Sequence, residues 1–495
     1  MEQDSRRSAR RLAALVASVA IIAAACSSSN NGGASASAST AASAASAPAS
    51  SAAASESGSP AASASGSAAA SGSAAASGSA SAAAGGSAAG SLGAFQFDSG
   101  LGGSVSVVGS WAGAEQDSFL AMVKPWEDAT GAKVNYTGSR DLQAQLTTGI
   151  ASGNLPDLAG LPGPGLMKQW YTQGALKPLD DVIDVAAYAA NTPGGLAEIS
   201  KADDGKYVGI FTKISVKGLI FFNKKNWTET TPPATFDALN QTAQSKLTGD
   251  MKEWCVGVES GGASGWPGTD WIEDLLLRQS GPDVYTKWVK GQQTWTSPEV
   301  KQAWTAFGDV LKNSFGGPTY IVNTNFGKAA NPMFASTPGC LFHHQANFMT
   351  DFFKNEAKAT PDQYGMFQMP AINTQFQGVS TAGGDLFGMF NNTPQSVSLM
   401  KWLVSPQAQE IWVKRGGFIA SNKNVPIESY PDEPSKQAAQ IFTSAQGLKY
   451  DASDQMPGAM NDAFFKAVVS FAQDQSKLDS ILTSLDSTQK DAYSS

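Results

Sequence analysis

From residue 104 onward the sequence changes its hydrophobic period in regular turn, and that alternation limits the possible folds more than any other feature. "SVSVVGSW" (104–111) alternates with period two, as a half-buried strand does. "AEQDSFLAMVKPWEDATG" then places Phe119, Met122, Val123 and Trp126 at helical spacing, with Gly131 as the C-terminal cap. Pro125 falls inside this pattern and is expected to kink the helix. "KVNYTG" predicts a second strand, "DLQAQLTTGIASG" a second helix, "PDLAGLP" a third short strand and "PGLMKQWYTQG" a third helix, before a connection at "ALKPLDD". Such a β-α-β-α order predicts the α/β class, with a mostly parallel sheet and helices on its faces.

Strands resume after Gly205 in "KYVGIFTKISVKGLIFFN". Ser297 and Pro298 then give an N-cap and first helical residue to "SPEVKQAWTAFGDVLKN", whose apolar stripe is Val300, Trp304, Phe307 and Leu311. The same start recurs at Thr393-Pro394, with a restart at Ser405-Pro406. Trp304 and Trp402 lie within helical apolar patterns and are expected in the core. A single core rarely grows to the roughly 390 residues that follow position 104, so two lobes are expected.

The N-terminal part has a different character. Arg6, Arg7, Arg10 and Arg11 precede an apolar or small run of 14 residues (12–25), too short to span a bilayer comfortably, which reads as an export signal. Cys26 follows three alanines and precedes a serine tract, the pattern of a bacterial lipobox in which the cysteine is lipidated; the alternative is an ordinary signal peptide with a chance cysteine. From there to about residue 100 the chain is mostly Ser, Ala and Gly, too poor in bulky apolar groups to offset the entropy of folding. A disordered tether of about 65 residues would reach on the order of 45 Å.

The net charge is −8, and about −10 once the signal is removed, which disfavours nucleic-acid partners. With Cys26 assigned to lipid, Cys255 and Cys340 remain; in an exported chain an even pair argues for one disulfide, worth about 4 kcal/mol in the chain-entropy model, with two free buried thiols as the alternative. G-x-S-x-G, P-loop, H-E-x-x-H and C-x-x-C motifs are all absent. His343 and His344 are the only histidines, and neighbours on a strand point to opposite faces, so neither a metal site nor another cofactor is expected. A carboxylate pair of the glycosidase type is left open by sequence.

Aromatic rings, carboxylates and amides do stand together. Ligands of open α/β sheets sit beyond the carboxyl ends of strands, here Ser110-Trp111, Ser139-Arg140-Asp141 and Leu161-Pro162, which otherwise serve only as turns. "SGGASGWPGTDW" (260–271) adds Trp266, Asp270 and Trp271 in what reads as a loop. A sugar presents an apolar C–H face that packs on indole and hydroxyls that need polar partners when buried. Either ring could instead belong to a structural tryptophan cluster.

At this point the residues resemble a known family. "WEDATGAKVNYTGSRDLQAQL", "ASGNLPDLAGLPGPGLM", "GALKPLDD", "ESGGASGWPGTDWIEDLLLR", "GCLFHHQANF" and "AGGDLFGMF" are similar to the extracellular sugar-binding lipoproteins of ABC importers, in the branch serving α-glucosides and oligosaccharides. The resemblance spans residues 104–490. It implies a two-lobed periplasmic-binding-protein-like (Venus-flytrap) fold, with a first lobe of 104–213 plus 379–425 and a second of 214–378 plus 426–495. Hinges would fall near 212–215 and 379–384. It implies a monomer on the extracellular face of the membrane that closes on sugar and docks on a permease driven by a separate ATPase. Sugar contacts carried over are Trp111, Ser139, Arg140 and Asp157 in the first lobe, and Trp266, Asp270, Trp271, Gln345 and Phe348 in the second. Related maltose binders have Trp where Phe348 stands. Asp385, after the hinge-side glycines, would accept from a hydroxyl, and a bridge between Cys255 and Cys340 would fasten both second-lobe segments. The same fold with a non-sugar ligand, a tethered glycoside hydrolase and a surface adhesin are the alternatives.

Overall fold

In the computed structural model, which describes residues 92–445 and 447–494, the strand and helix alternation is realised as β1 (Ser104–Gly109), α1 (Ala114–Thr130), β2 (Lys133–Gly138), α2 (Leu142–Ser152), β3 (Leu158–Leu161) and α3 (Pro164–Thr172). The export signal, Cys26 and nearly all of the Ser/Ala/Gly stretch lie outside the described residues. Where description begins, Phe95 and Phe97 pack on Trp402, with ring centroids 5.0 and 4.9 Å away. Helix α1 runs on through Pro125 and ends at Gly131, whose left-handed φ of 73° lets its N–H reach the Glu127 carbonyl.

Two sheets follow. β1 pairs in parallel with both β2 and β3, as the crossover helices require. The longer strands β4 (Ile210–Val216) and β5 (Leu219–Asn223) are consecutive but belong to different sheets, separated only by Lys217 and Gly218. β5 joins β6 (Lys252–Trp254), β7 (Cys340–Gln345) and β8 (Tyr364–Gln368) in a four-stranded sheet ordered β6-β7-β5-β8. The chain then returns to the first sheet as β9 (Ser380–Met389), followed by β10 (Ile419–Ala420) and β11 (Leu448–Tyr450). The seven-stranded order is β10-β4-β9-β3-β1-β2, with β11 also on β9. This sheet is more mixed than the opening alternation implied. β9 runs antiparallel to β3 and β4 because it arrives from the other sheet and not through a crossover helix.

Against β7 of the second sheet packs α4 (Trp266–Val289); α5 (Pro298–Lys312) and α6 (Gly458–Gln473) pack on α4, and α7 (Leu478–Ala492) on α6. Trp288, Trp295, Trp304, Phe464 and Phe471 pack edge to face or tilted between these helices, so their core is largely aromatic. Trp304 and Trp402 are both buried, as their helical patterns predict. Thr393 and Ser405 cap their helices by accepting from the N–H groups of Ser396 and Ala408. Cys255 and Cys340 form a disulfide across the parallel pair of β6 and β7, with Cα atoms 5.5 Å apart.

Candidate functional site

The parallel pairing of β1, β2 and β3 brings their carboxyl ends to one edge of the first sheet. Ser110 and Trp111, Ser139 and Arg140, and Leu161 and Pro162 therefore meet along one wall of a cleft of about 1100 Å³, open to solvent. The opposite wall is built from the first turn of α4 together with Phe326 and Phe348. β4 and β9 form the floor. Period-two alternation on β4 and its continuation sends Lys213, Ser215 and Lys217 to the same side, and Asp385 sits opposite Lys213 in register.

Two ion clusters grow from these lysines. Lys213 donates to Glu115 at 2.6 Å and lies 3.7 Å from Asp385, while Arg140 holds the other Glu115 oxygen at 3.2 Å. Burial would raise the Glu115 carboxyl, but Lys213 and Arg140 outweigh it and hold it below the ordinary range. Asp385 is fixed by the Trp111 indole N–H at 3.1 Å and by the Ser110 hydroxyl at 3.3 Å. Burial keeps its carboxyl above the usual range.

Lys217 heads the second cluster. It donates to Asp270 at 2.8 Å and also to Asp451, which lies 234 residues away in sequence. Gly383 makes room for its arm: a Cβ there would stand 2.7 Å from Lys217 Cε. Burial, partly offset by Lys217 and reinforced by Asp451, pushes Asp270 up to about 8. In Asp451 the burial penalty is outweighed by Lys217 and by hydrogen bonds from the Asp454 N–H and Ser453, so this carboxyl stays low. Near neutral pH the pair thus holds one proton, and the second Asp270 oxygen is buried with no protein donor. The carboxyl oxygens of Glu115, Asp270, Asp385, Asp451 and Asp454 outnumber the three cations Arg140, Lys213 and Lys217 around the cleft.

The aromatic groups complete the walls. Trp266 is half-buried, 5.0 Å from Phe326 and 6.0 Å from Phe348 between ring centroids. Lys217 lies 5.7 Å from the Trp266 ring and Lys213 lies 5.4 Å from that of Phe348. The walls also touch directly. The Gly262 N–H donates to Asp141 at 2.8 Å, and the Arg140 guanidinium lies 5.0 Å from the Phe326 ring.

Of the residues singled out from sequence, Trp111, Ser139, Arg140, Trp266, Asp270, Phe348 and Asp385 line this cleft. Trp271, Gln345 and Asp157 do not line it. The segment read as a loop becomes helical at Trp266, with Pro267 in its first turn. On a helix Asp270 is turned only about 40° from Trp266, whereas Trp271 is turned about 140°. Trp271 accordingly enters the core, stacked 4.0 Å from His344 and edge-on to Trp254. Gly265 precedes the helix at φ 113°, and a Cβ there would collide with the Phe465 carbonyl. Gln345 ends β7 buried, its side-chain oxygen accepting from the Ala346 N–H. Asp157 precedes β3, at the end of the strand remote from the cleft, where it accepts from the Ser106 N–H and hydroxyl at 2.8 Å.

The histidines point to opposite faces of β7. His343 donates Nδ1–H to the Cys255 carbonyl at 3.0 Å, and burial holds it down to about 4, so it is neutral. His344 meets Asp274, which also pairs with Arg278 at 3.1 Å. Among the described residues no three His, Cys, Asp or Glu side chains are grouped to hold a metal ion.

Sequence reading passed over Glu115, Lys213, Lys217, Asp451, Asp454 and Phe326. "KISVK" did carry a signal, since lysines two residues apart from a serine in an apolar strand share its face. Nothing local marks Asp451 or Phe326.

A family model described as a bacterial extracellular solute-binding protein matches residues 121–443. The osmoprotective compounds-binding protein GgtB of Synechocystis is 32% identical over 366 residues, covering 73% of this chain and 86% of its own. The alpha-glucosides-binding periplasmic protein AglE of Rhizobium meliloti is 31% identical over 391 residues, covering 76% and 85%. Among solved structures, a chitin oligosaccharide binding protein superposes with a TM-score of 0.69 at 18% identity, over 79% of this chain and 99% of that one, and so shares the fold.

Proposed function

The chain belongs to the bacterial extracellular solute-binding proteins and is the solute-binding, non-enzymatic component of an ABC importer for sugars; from that premise we propose that its ligand is an α-glucoside or small oligosaccharide, held in the cleft between the two sheets. The observation that carries this reading is the pairing, on one helix turn, of the half-buried Trp266 ring with the Asp270 carboxyl, in a cleft also lined by Trp111 and Asp385. Rings of this kind offer a face to the apolar side of a sugar. The carboxyl oxygens accept from its hydroxyls, the protonated Asp270 can also donate, and Arg140, Ser139 and Ser215 supply donors or either role. AglE, at 31% identity, is named for α-glucosides.

In this reading the lobes are 104–213 with 379–425, and 214–378 with 426–495, hinged near 212–215 and 379–384. Closure is driven by ligand contacts made with both walls at once, and the closed form is what the permease, powered by its ATPase, recognises. A melting-temperature screen over mono-, di- and oligosaccharides tests the ligand class. A bound sugar at about 100 times its Kd stabilises the fold by about 2.7 kcal/mol. If no carbohydrate raises the melting temperature, the reading is wrong. A second reading follows from GgtB, whose name specifies osmoprotective compounds. Polyol and zwitterionic osmolytes in the same screen separate the two.

The lipid anchor is a second part of the proposal. Cys26 after three alanines would carry the lipid, holding the protein on the outer face of the membrane. Cys26→Ala is expected to move the protein from the membrane fraction to the soluble fraction of cells, and its retention in membranes would exclude the anchor.

A further inference from the structure

We propose that Asp141 and Gly262 form a latch between the two walls of the cleft, so that Asp141, without lining the cleft itself, sets how long a bound sugar is retained. This rests on the reading above, in which the walls close on the ligand. Asp141 immediately precedes α2 and occupies its N-cap position, where a carboxylate ordinarily accepts from the first N–H groups of its own helix. It makes no such bond, and its backbone, at φ −96° and ψ 23°, is not in the extended conformation of a capping residue. Asp141 Oδ1 accepts instead from the Gly262 N–H at 2.8 Å, 121 residues away in sequence and on the opposite wall.

Both partners are held ready by their own walls. On the first, the Ser139 hydroxyl accepts from the Asp141 N–H at 3.1 Å and from the Gln145 amide at 2.9 Å, which fixes the turn into α2. On the second, Gly261–Ala263 form a single tight helical turn. Glu259 accepts from the Gly261 N–H at 2.7 Å with one carboxylate oxygen and from the Asn325 amide at 2.8 Å with the other. The neighbouring Gly262 N–H is thereby left to the first wall. A side chain at 262 would keep the walls apart: a Cβ there would stand 2.2 Å from Asp141 Oδ1, and the three atoms nearest to it all belong to Asp141. Arg140, next to Asp141, lines the cleft and lies 5.0 Å from the Phe326 ring of the opposite wall. Forming the latch therefore carries a cleft-lining cation against the second wall.

Asp141 and Gly262 are both exposed, so substitutions there do not enter the core. Asp141→Ser keeps a side chain able to cap α2 but too short to reach Gly262. Asp141→Asn keeps an acceptor oxygen at the same reach. Gly262→Ala breaks the contact from the other wall. The probe is maltose, followed by stopped-flow tryptophan fluorescence on the mature protein. Asp141→Ser and Gly262→Ala are each expected to speed dissociation about fivefold, and the double variant no more than either alone, because both remove the same bond. Asp141→Asn is expected to stay within about twofold of the wild type, and all ligand-free melting temperatures to be unchanged. Unchanged dissociation in either single variant, or effects that multiply in the double variant, would overturn the latch. Deuterium exchange of the Gly262 N–H, read by mass spectrometry, decides the contact without ligand. It is expected to be about fivefold slower in the wild type than in Asp141→Ser, and equal rates would also overturn the latch. If maltose does not bind while the exchange rates differ, the α-glucoside reading falls and the latch stands.

Discussion

Trp266→Ala is expected to lower sugar affinity at least tenfold, whereas Trp271→Ala, five residues on, is expected to leave affinity nearly intact in whatever fraction stays folded and to cost about 3–5 kcal/mol of stability. The asymmetry comes from helical geometry. Trp266 stands at the start of its helix with one face open to the cleft and its neighbours Phe326 and Phe348 on the same wall. Truncating it removes the stacking surface and leaves a space that water can enter. Trp271 is 2% exposed, stacked on His344 and edge-on to Trp254. Its removal leaves a cavity inside the second core. Titration calorimetry with the best sugar from the screen, and urea denaturation without ligand, separate the two effects. Should Trp271→Ala abolish binding while the fold holds, the assignment of the rings would have to be exchanged.

The second large effect is expected from Lys217→Met. Lys217 is the shared counter-ion of Asp270 and Asp451, and all three are buried. It sits where the chain leaves the first sheet for the second, and Asp451 sits just past β11, with its N–H bonded to the Ala382 carbonyl at 2.7 Å. The lysine therefore ties together three segments at the junction of the sheets. Removing one partner of a buried ion pair typically costs about 3–5 kcal/mol, because the remaining charge has no compensation. The sign with pH follows from the low Asp451 carboxyl. In the wild type its pairing stabilises the fold above the carboxyl's unfolded value and is lost as pH falls through the lower folded value. In the variant the folded carboxyl binds its proton more readily, so the deficit is largest near pH 8 and shrinks toward pH 4. Urea denaturation of both proteins at pH 8, 6 and 4.5 measures it. A deficit that is the same at every pH would mean that lost packing, not charge, is responsible.

Much of the fold could be read from the chain because it is encoded locally. The first three strands and helices lie within a few residues of their expected limits, and the caps at Thr393 and Ser405 form as their Thr-Pro and Ser-Pro pairs predict. Half of the cleft was legible for the same reason. Once β1, β2 and β3 are known to be parallel, Trp111, Ser139 and Arg140 must gather at one edge. The other wall was harder to read. Four glycines and a proline give 260–271 the composition of a loop and hide the helical phase that separates Trp266 and Asp270 from Trp271. Gly265 does mark a break, but it is the break before a helix.

The sequence by itself determined the alternation of strands and helices, the parity of the two cysteines and the chemical character of the cleft, because each depends on residue type and short spacing. Only the tertiary structure decided which side chains share a charge. Lys213 meets Glu115 from 98 residues away, and Lys217 meets Asp270 and Asp451 from 53 and 234. No local period connects such positions. They come together because the chain passes between the two sheets just after β4 and just before β9, and burial at that crossing makes each lysine dependent on carboxylates that distant segments supply.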